Sequence, residues 1–96
     1  MMLTYSYNSN MLKIKEEKQD TDIHFQIQIK DDRYLEQFKL VLQFFDDNKV
    51  YTDVLSYPYE NHEYRVIVRE DYYNDFLAEM LKARLLQSLK WNDLVL

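Results

Sequence analysis

Two histidines, His24 and His62, are the only imidazoles that could act as a general base or bind a metal. His24 falls on the polar side of an alternating segment and His62 in a turn, with Asp22 two positions before the first and Glu63 next to the second. A zinc or iron centre needs three or four converging ligands, and this spacing brings none of the others close, so no metal site is expected. Ser6, Ser9, Ser56 and Ser88 are the serine hydroxyls. None sits in a nucleophile elbow, so serine hydrolysis is not expected. The acid pairs Asp31-Asp32 and Asp46-Asp47 resemble a general acid and base only superficially. A raised carboxyl pKa needs burial, whereas acids at helix ends serve as caps and solvated faces, and Asp31-Asp32 also suits the positive end of a helix dipole.

Whole classes of chemistry are removed by residues that are missing. The chain has no cysteine, hence no disulfide, thiolate metal site or thiol nucleophile. It has no glycine, where about 7% is usual, so the P-loop, the dinucleotide fingerprint and the nucleophile elbow all lack the residue they require. No cofactor is expected. Seventeen acidic against twelve basic residues give a formal charge of -5 without a basic run, and direct nucleic-acid binding is not expected.

Nine tyrosines remain as the distinctive feature. Tyr51, Tyr57, Tyr59 and Tyr64 cluster with Asp53, Glu60, Arg65 and Arg69 in a segment rich in β-branched and aromatic residues. If Tyr64, Val66 and Val68 face a core, then Arg65, Ile67 and Arg69 share the other sheet face with His24, Gln26 and Gln28. The face taken by the strand before them is ambiguous, since both the Tyr51, Asp53, Leu55, Tyr57 set and the Val50, Thr52, Val54 set contain apolar members. Tyrosine and arginine are enriched at protein interfaces because they combine contact area with a polar handle. Tyr51, Asp53, Tyr57, Tyr59, Glu60, Arg65 and Arg69 therefore form the candidate partner interface.

The elements that must position these residues follow from hydrophobic periodicity. Leu3, Tyr5 and Tyr7 alternate with polar residues, as do Leu12 and Ile14 after Asn8-Ser9-Asn10, which predicts a first hairpin. Glu16 to Asp20 reads as a turn. Ile23, Phe25, Ile27 and Ile29 alternate cleanly and predict a strand with one wet face. From Asp31 the period becomes helical, with Leu35, Phe38, Val41, Leu42 and Phe45 on one side, an Asp31 or Asp32 cap and an end at Asp46-Asp47-Asn48. Val50 to Tyr57 and Glu63 to Arg69 predict a second hairpin turning at Pro58 to Asn61. A second helix is expected from an Asp71 cap to about Trp91, its wide stripe running from Tyr73 through Leu89.

Residues 1–96 thus read as one α+β domain of order βββαββα: a single antiparallel or mixed sheet of about five strands, with both helices on one face and residues 91–96 as a loose or docking tail. From Thr21 onward the element order partly resembles a ferredoxin-like fold, which by itself implies no function. The sequence has no secretory leader and no apolar run long enough to span a membrane, so a cytoplasmic location is expected. The function expected is non-enzymatic: a small acidic binding protein making stoichiometric contact with a protein partner, in the manner of an inhibitor, an immunity protein or a phage-encoded antagonist of host defence. The alternative is a structural or regulatory homo-oligomer, a homodimer in its simplest form.

Overall fold

The computed structural model describes residues 2–48 and 54–92. Its elements are β1 (Met2–Ser6), β2 (Leu12–Gln19), β3 (Asp22–Ile29), α1 (Leu35–Asp47), β4 (Val54–Pro58), β5 (Glu63–Arg69), α2 (Tyr73–Lys82) and β6 (Ser88–Asn92), with single 3-10 turns leading into each helix. The α+β class holds, but among the described residues there are six strands in two antiparallel sheets rather than one sheet of five. The larger sheet has the order β2-β3-β5-β4, and β1 pairs with β6 in a separate ribbon. Because β5 lies between β3 and β4, the chain from β3 through α1 to β4 is a split β-α-β unit.

One face of the larger sheet supplies the floor of the core. Ile23, Phe25, Ile27 and Ile29 of β3 alternate with half-buried polar residues, and Val66 and Val68 of β5 lie beside them. Phe38, Val41 and Phe45 of α1 and Phe76, Leu77 and Met80 of α2 close over that floor. Phe76 is the centre, with its ring 4.9 Å from Phe25 and 5.8 Å from Phe45. Phe38 meets Tyr64 of β5 edge-on at 4.9 Å. Both helices therefore cover the same face and leave the other to solvent.

The expected first hairpin does not form. Leu3, Thr4, Tyr5 and Ser6 pair instead with Trp91, Lys90, Leu89 and Ser88. At the edge of β2 the Tyr7 hydroxyl stands where a paired strand would: it donates to the Ile14 carbonyl (3.2 Å) and accepts from the Ile14 amide (3.3 Å). One side chain thus satisfies the amide and carbonyl of Ile14, which a hairpin strand would have bonded. Nor is Glu16 to Asp20 all turn, since β2 runs to Gln19 and the reversal occupies Asp20 and Thr21.

The second helix is shorter than expected. Asp71 lies inside the 3-10 turn Glu70–Tyr72 and does not cap it; that turn starts from Arg69 with no side-chain cap. At the other end the Leu85 amide bonds the Met80 carbonyl (3.0 Å) and the Arg84 amide bonds the Leu81 carbonyl (2.9 Å), the paired bonds of a Schellman motif. Arg84 takes the left-handed conformation there (φ 64°), and Met80 and Leu85 are both buried beneath it. The wide apolar stripe is explained by this stop: Leu85 and Leu86 enter the core from a turn, and Leu89 belongs to β6. Trp91 and Asn92 are strand residues rather than tail, and 93–96 lie outside the described residues.

Two further reversals also use left-handed residues without glycine. Asp20 has φ 57°, and Asn61 and His62 have φ 61° and 58°. The latter pair is the centre of the β4–β5 turn, closed by the Glu63 amide on the Glu60 carbonyl (3.2 Å), as a type I′ turn requires. The turn lies later than the expected Pro58 to Asn61, and Pro58 belongs to β4. Asp31 caps the first 3-10 turn as expected, its Oδ1 accepting from the Arg33 amide at 3.0 Å, and α1 ends at Asp47 with Asn48 as its C-cap.

Candidate functional site

Strand register dictates what the uncovered sheet face displays. Residues opposite one another in an antiparallel pair point to the same side, so each cross-strand rung has one composition. Lys15, Gln26, Arg65 and Tyr57 form one rung across all four strands. Glu17, His24, Ile67 and Leu55 form the next. Lys13, Gln28 and Glu63 lie on one side of these two, and Gln19, Asp22 and Arg69 on the other.

The ambiguity over β4 is thereby resolved: Leu55 and Tyr57 point outward, beside Ile67 and Arg65. Tyr57 is 46% exposed, Tyr59 54% and Leu55 48%. The Arg65 guanidinium lies over the Tyr59 ring, 5.5 Å from its centre. Gln26 donates to the Glu63 carboxylate at 3.0 Å, which fixes the middle of the face. Between β2 and the β4–β5 hairpin there is a concavity of about 580 Å³, with Lys15, Glu17, His24, Gln26, Tyr57, Tyr59, Arg65 and Ile67 in its wall.

Of the residues expected at the interface, Tyr57, Tyr59 and Arg65 come together in this concavity. Glu60 is exposed in the turn beyond them. Arg69 shares the face but is turned toward Asp71 (3.6 Å). Tyr51 and Asp53 lie outside the described residues. Lys15 and Glu17 of β2 are additions to the expected set: the sequence places Lys15 in a hairpin strand beside β1 and Glu17 in a turn, whereas β2 runs to Gln19 and pairs with β3. The alternation of Leu12, Lys13, Ile14 and Lys15 already placed the lysines opposite the core, and was the signal available for them.

A second cluster lies on the helix-covered side. Glu16 accepts from the hydroxyls of Tyr5 (2.5 Å) and Tyr73 (2.9 and 3.1 Å), which joins the β1–β6 ribbon, the larger sheet and α2 through one carboxylate. Partial burial, followed by the bond to Glu16, pushes both phenols above their ordinary range. Among the described residues no group of three or more His, Cys, Asp or Glu is placed to hold a metal ion. No described helix is long and apolar enough to cross a membrane.

The open face thus presents aromatic rings, guanidinium and ammonium groups, carboxylates and amides on a four-stranded base, a set suited to contact. Comparison with family models, curated proteins and solved structures returned no match to this chain.

Proposed function

We propose that this chain is a non-enzymatic binding protein of the cytoplasm that docks a protein partner through its open sheet face, one partner per chain. The carrying observation is the outward register of β4, which places Leu55 and Tyr57 beside Ile67 and Arg65 and next to Tyr59. Single exposed apolar residues are ordinary on a protein surface, whereas a contiguous aromatic and aliphatic group rimmed by polar residues has the composition of an interface core. Rigid support matters too, because side chains anchored on a sheet lose little freedom on contact. Occlusion of the partner's own surface is the simplest consequence of such docking, which fits an inhibitor, an immunity-type protein or an antagonist of host defence.

Hydrogen exchange on the complex recovered from the native host tests the reading. Protection gained over 54–59 and 63–69 supports it, and protection confined to the helices or to the β1–β6 ribbon refutes it.

A homo-oligomer is the second reading, favoured by Leu40 and Phe44, four residues apart on the outer side of α1 and 64% and 39% exposed. Light scattering at high concentration separates the two readings. A strict monomer removes the second, and a dimer dissociated by Leu40→Glu supports it.

A further inference from the structure

Three cations without a carboxylate partner among the described residues stand together on the open face. Among the described residues Lys18, Arg33, Lys39 and Lys82 each lie near a carboxylate, at 3.0, 2.6, 3.7 and 2.9 Å. Lys13, Lys15 and Arg65 have no carboxylate partner among the described residues, and all three stand on the open face. Lys30, Arg84 and Lys90 lie apart from them, on a loop, a helix end and β6. Arg65 rests on a ring and leaves the edge of its guanidinium for a ligand. Strands are spaced about 4.8 Å apart, so Lys15 and Arg65, two strands removed, have backbones about 10 Å apart with neutral Gln26 between them. The face also carries acids: Glu63 is held by Gln26, Asp22 stands beside Arg69 at the far end, and Glu17 lies on the neighbouring rung, two residues along β2 from Lys15.

We propose that the Lys15–Gln26–Arg65–Tyr57 rung receives an acidic segment of the protein partner, its carboxylates meeting Lys15 and Arg65 and its neighbouring side chains lying on Tyr57 and Tyr59. The inference rests on the docking reading above and names the chemistry of the partner. Guanidinium and ammonium groups bond carboxylates with charge-assisted hydrogen bonds, and an apolar floor beside them excludes competing water. The acidic remainder of the chain repels the same segment elsewhere, so the rung fixes where it lands.

The test is an NMR titration of the isotope-labelled full chain with three probes: hexaglutamate, hexalysine and octathymidylate. Hexaglutamate is expected to move the amides of Lys15, Gln26, Tyr57 and Arg65, and the Lys15→Gln/Arg65→Gln double variant to weaken that response by about tenfold or more. Both side chains are exposed, and Lys15→Gln alone serves if the double variant loses its native spectrum. Equal perturbation by hexalysine, shifts scattered over other faces, or tighter binding of octathymidylate overturns the proposal, the last in favour of a phosphate-recognising surface. Capture of the native partner separates this inference from the reading beneath it. If Tyr57→Ala abolishes capture and the double variant does not, the acidic-segment inference fails alone. If Tyr57→Ala leaves capture intact, the docking reading fails with it.

Discussion

The guanidinium of Arg65 lies 5.5 Å from the centre of the Tyr59 ring, on the face of the sheet that no helix covers. An exposed contact of this kind is worth about 0.5–1 kcal/mol, too little to explain its placement by stability. Tyr59→Ala is therefore expected to lower the unfolding free energy by less than about 1 kcal/mol while weakening partner capture. Urea denaturation and capture on the same variant give the two numbers, and a large stability loss would mark the pair as structural.

Glu16 ties Tyr5 of the ribbon and Tyr73 of α2 to the larger sheet. Glu16→Ala is expected to cost about 1–3 kcal/mol, since each hydroxyl loses a charged acceptor. Hydrogen exchange should quicken first in β1 and β6, whose attachment to the larger sheet combines this carboxylate with the packing of Leu3 and Leu89.

The same cluster contributes to stability at alkaline pH. Both phenols ionise above their ordinary range in the folded protein, so between the unfolded value of about 10 and the raised folded values the unfolded chain binds fewer protons. The contribution of these two phenols is then complete below pH about 10 and falls as pH rises past it. Denaturation across that range measures the fall, and Glu16→Gln should make it shallower.

Left-handed backbone without glycine is a reservoir of stability. Arg84→Gly at the Schellman position is expected to stabilise by about 1 kcal/mol, because the Cβ penalty disappears while the Met80–Leu85 contact remains. His62→Gly, which gives the Asn-Gly pair favoured in type I′ turns, should act in the same direction. Thermal denaturation of both variants checks this, and β-branched Arg84→Val should move the other way.

Phe76 meets Phe25 and Phe45 at the junction of both helices with the sheet. Phe76→Ala should cost about 3–5 kcal/mol, whereas Leu40→Ala on the exposed side of α1 should cost little.

What was legible in the sequence was what local period determines. The alternation of Ile23, Phe25, Ile27 and Ile29 gave β3 and its wet face, and the Asp31 cap and the spacing of Phe38, Val41 and Phe45 gave α1. The outward grouping of Arg65, Ile67 and Arg69 with His24, Gln26 and Gln28 followed from the same alternation. The end of α2 was hidden because Arg84 does what glycine ordinarily announces, and without that stop Leu85, Leu86 and Leu89 extended a helical stripe. The β1–β6 pairing joins residues more than eighty positions apart, and no local pattern reports that the Tyr7 hydroxyl bonds Ile14 at the edge of β2. Lys15 and Arg65 are likewise fifty positions apart, which is why a cationic rung escaped a reading of linear charge.

Docking through the open face is tested most directly by quantitative capture from the native host with two baits, the wild-type chain and a Tyr57→Ala/Arg65→Gln variant of matched stability. The account predicts one dominant protein in near-equimolar yield on the first bait and its loss from the second. Equal recovery on both baits, or nothing above background on either, contradicts it.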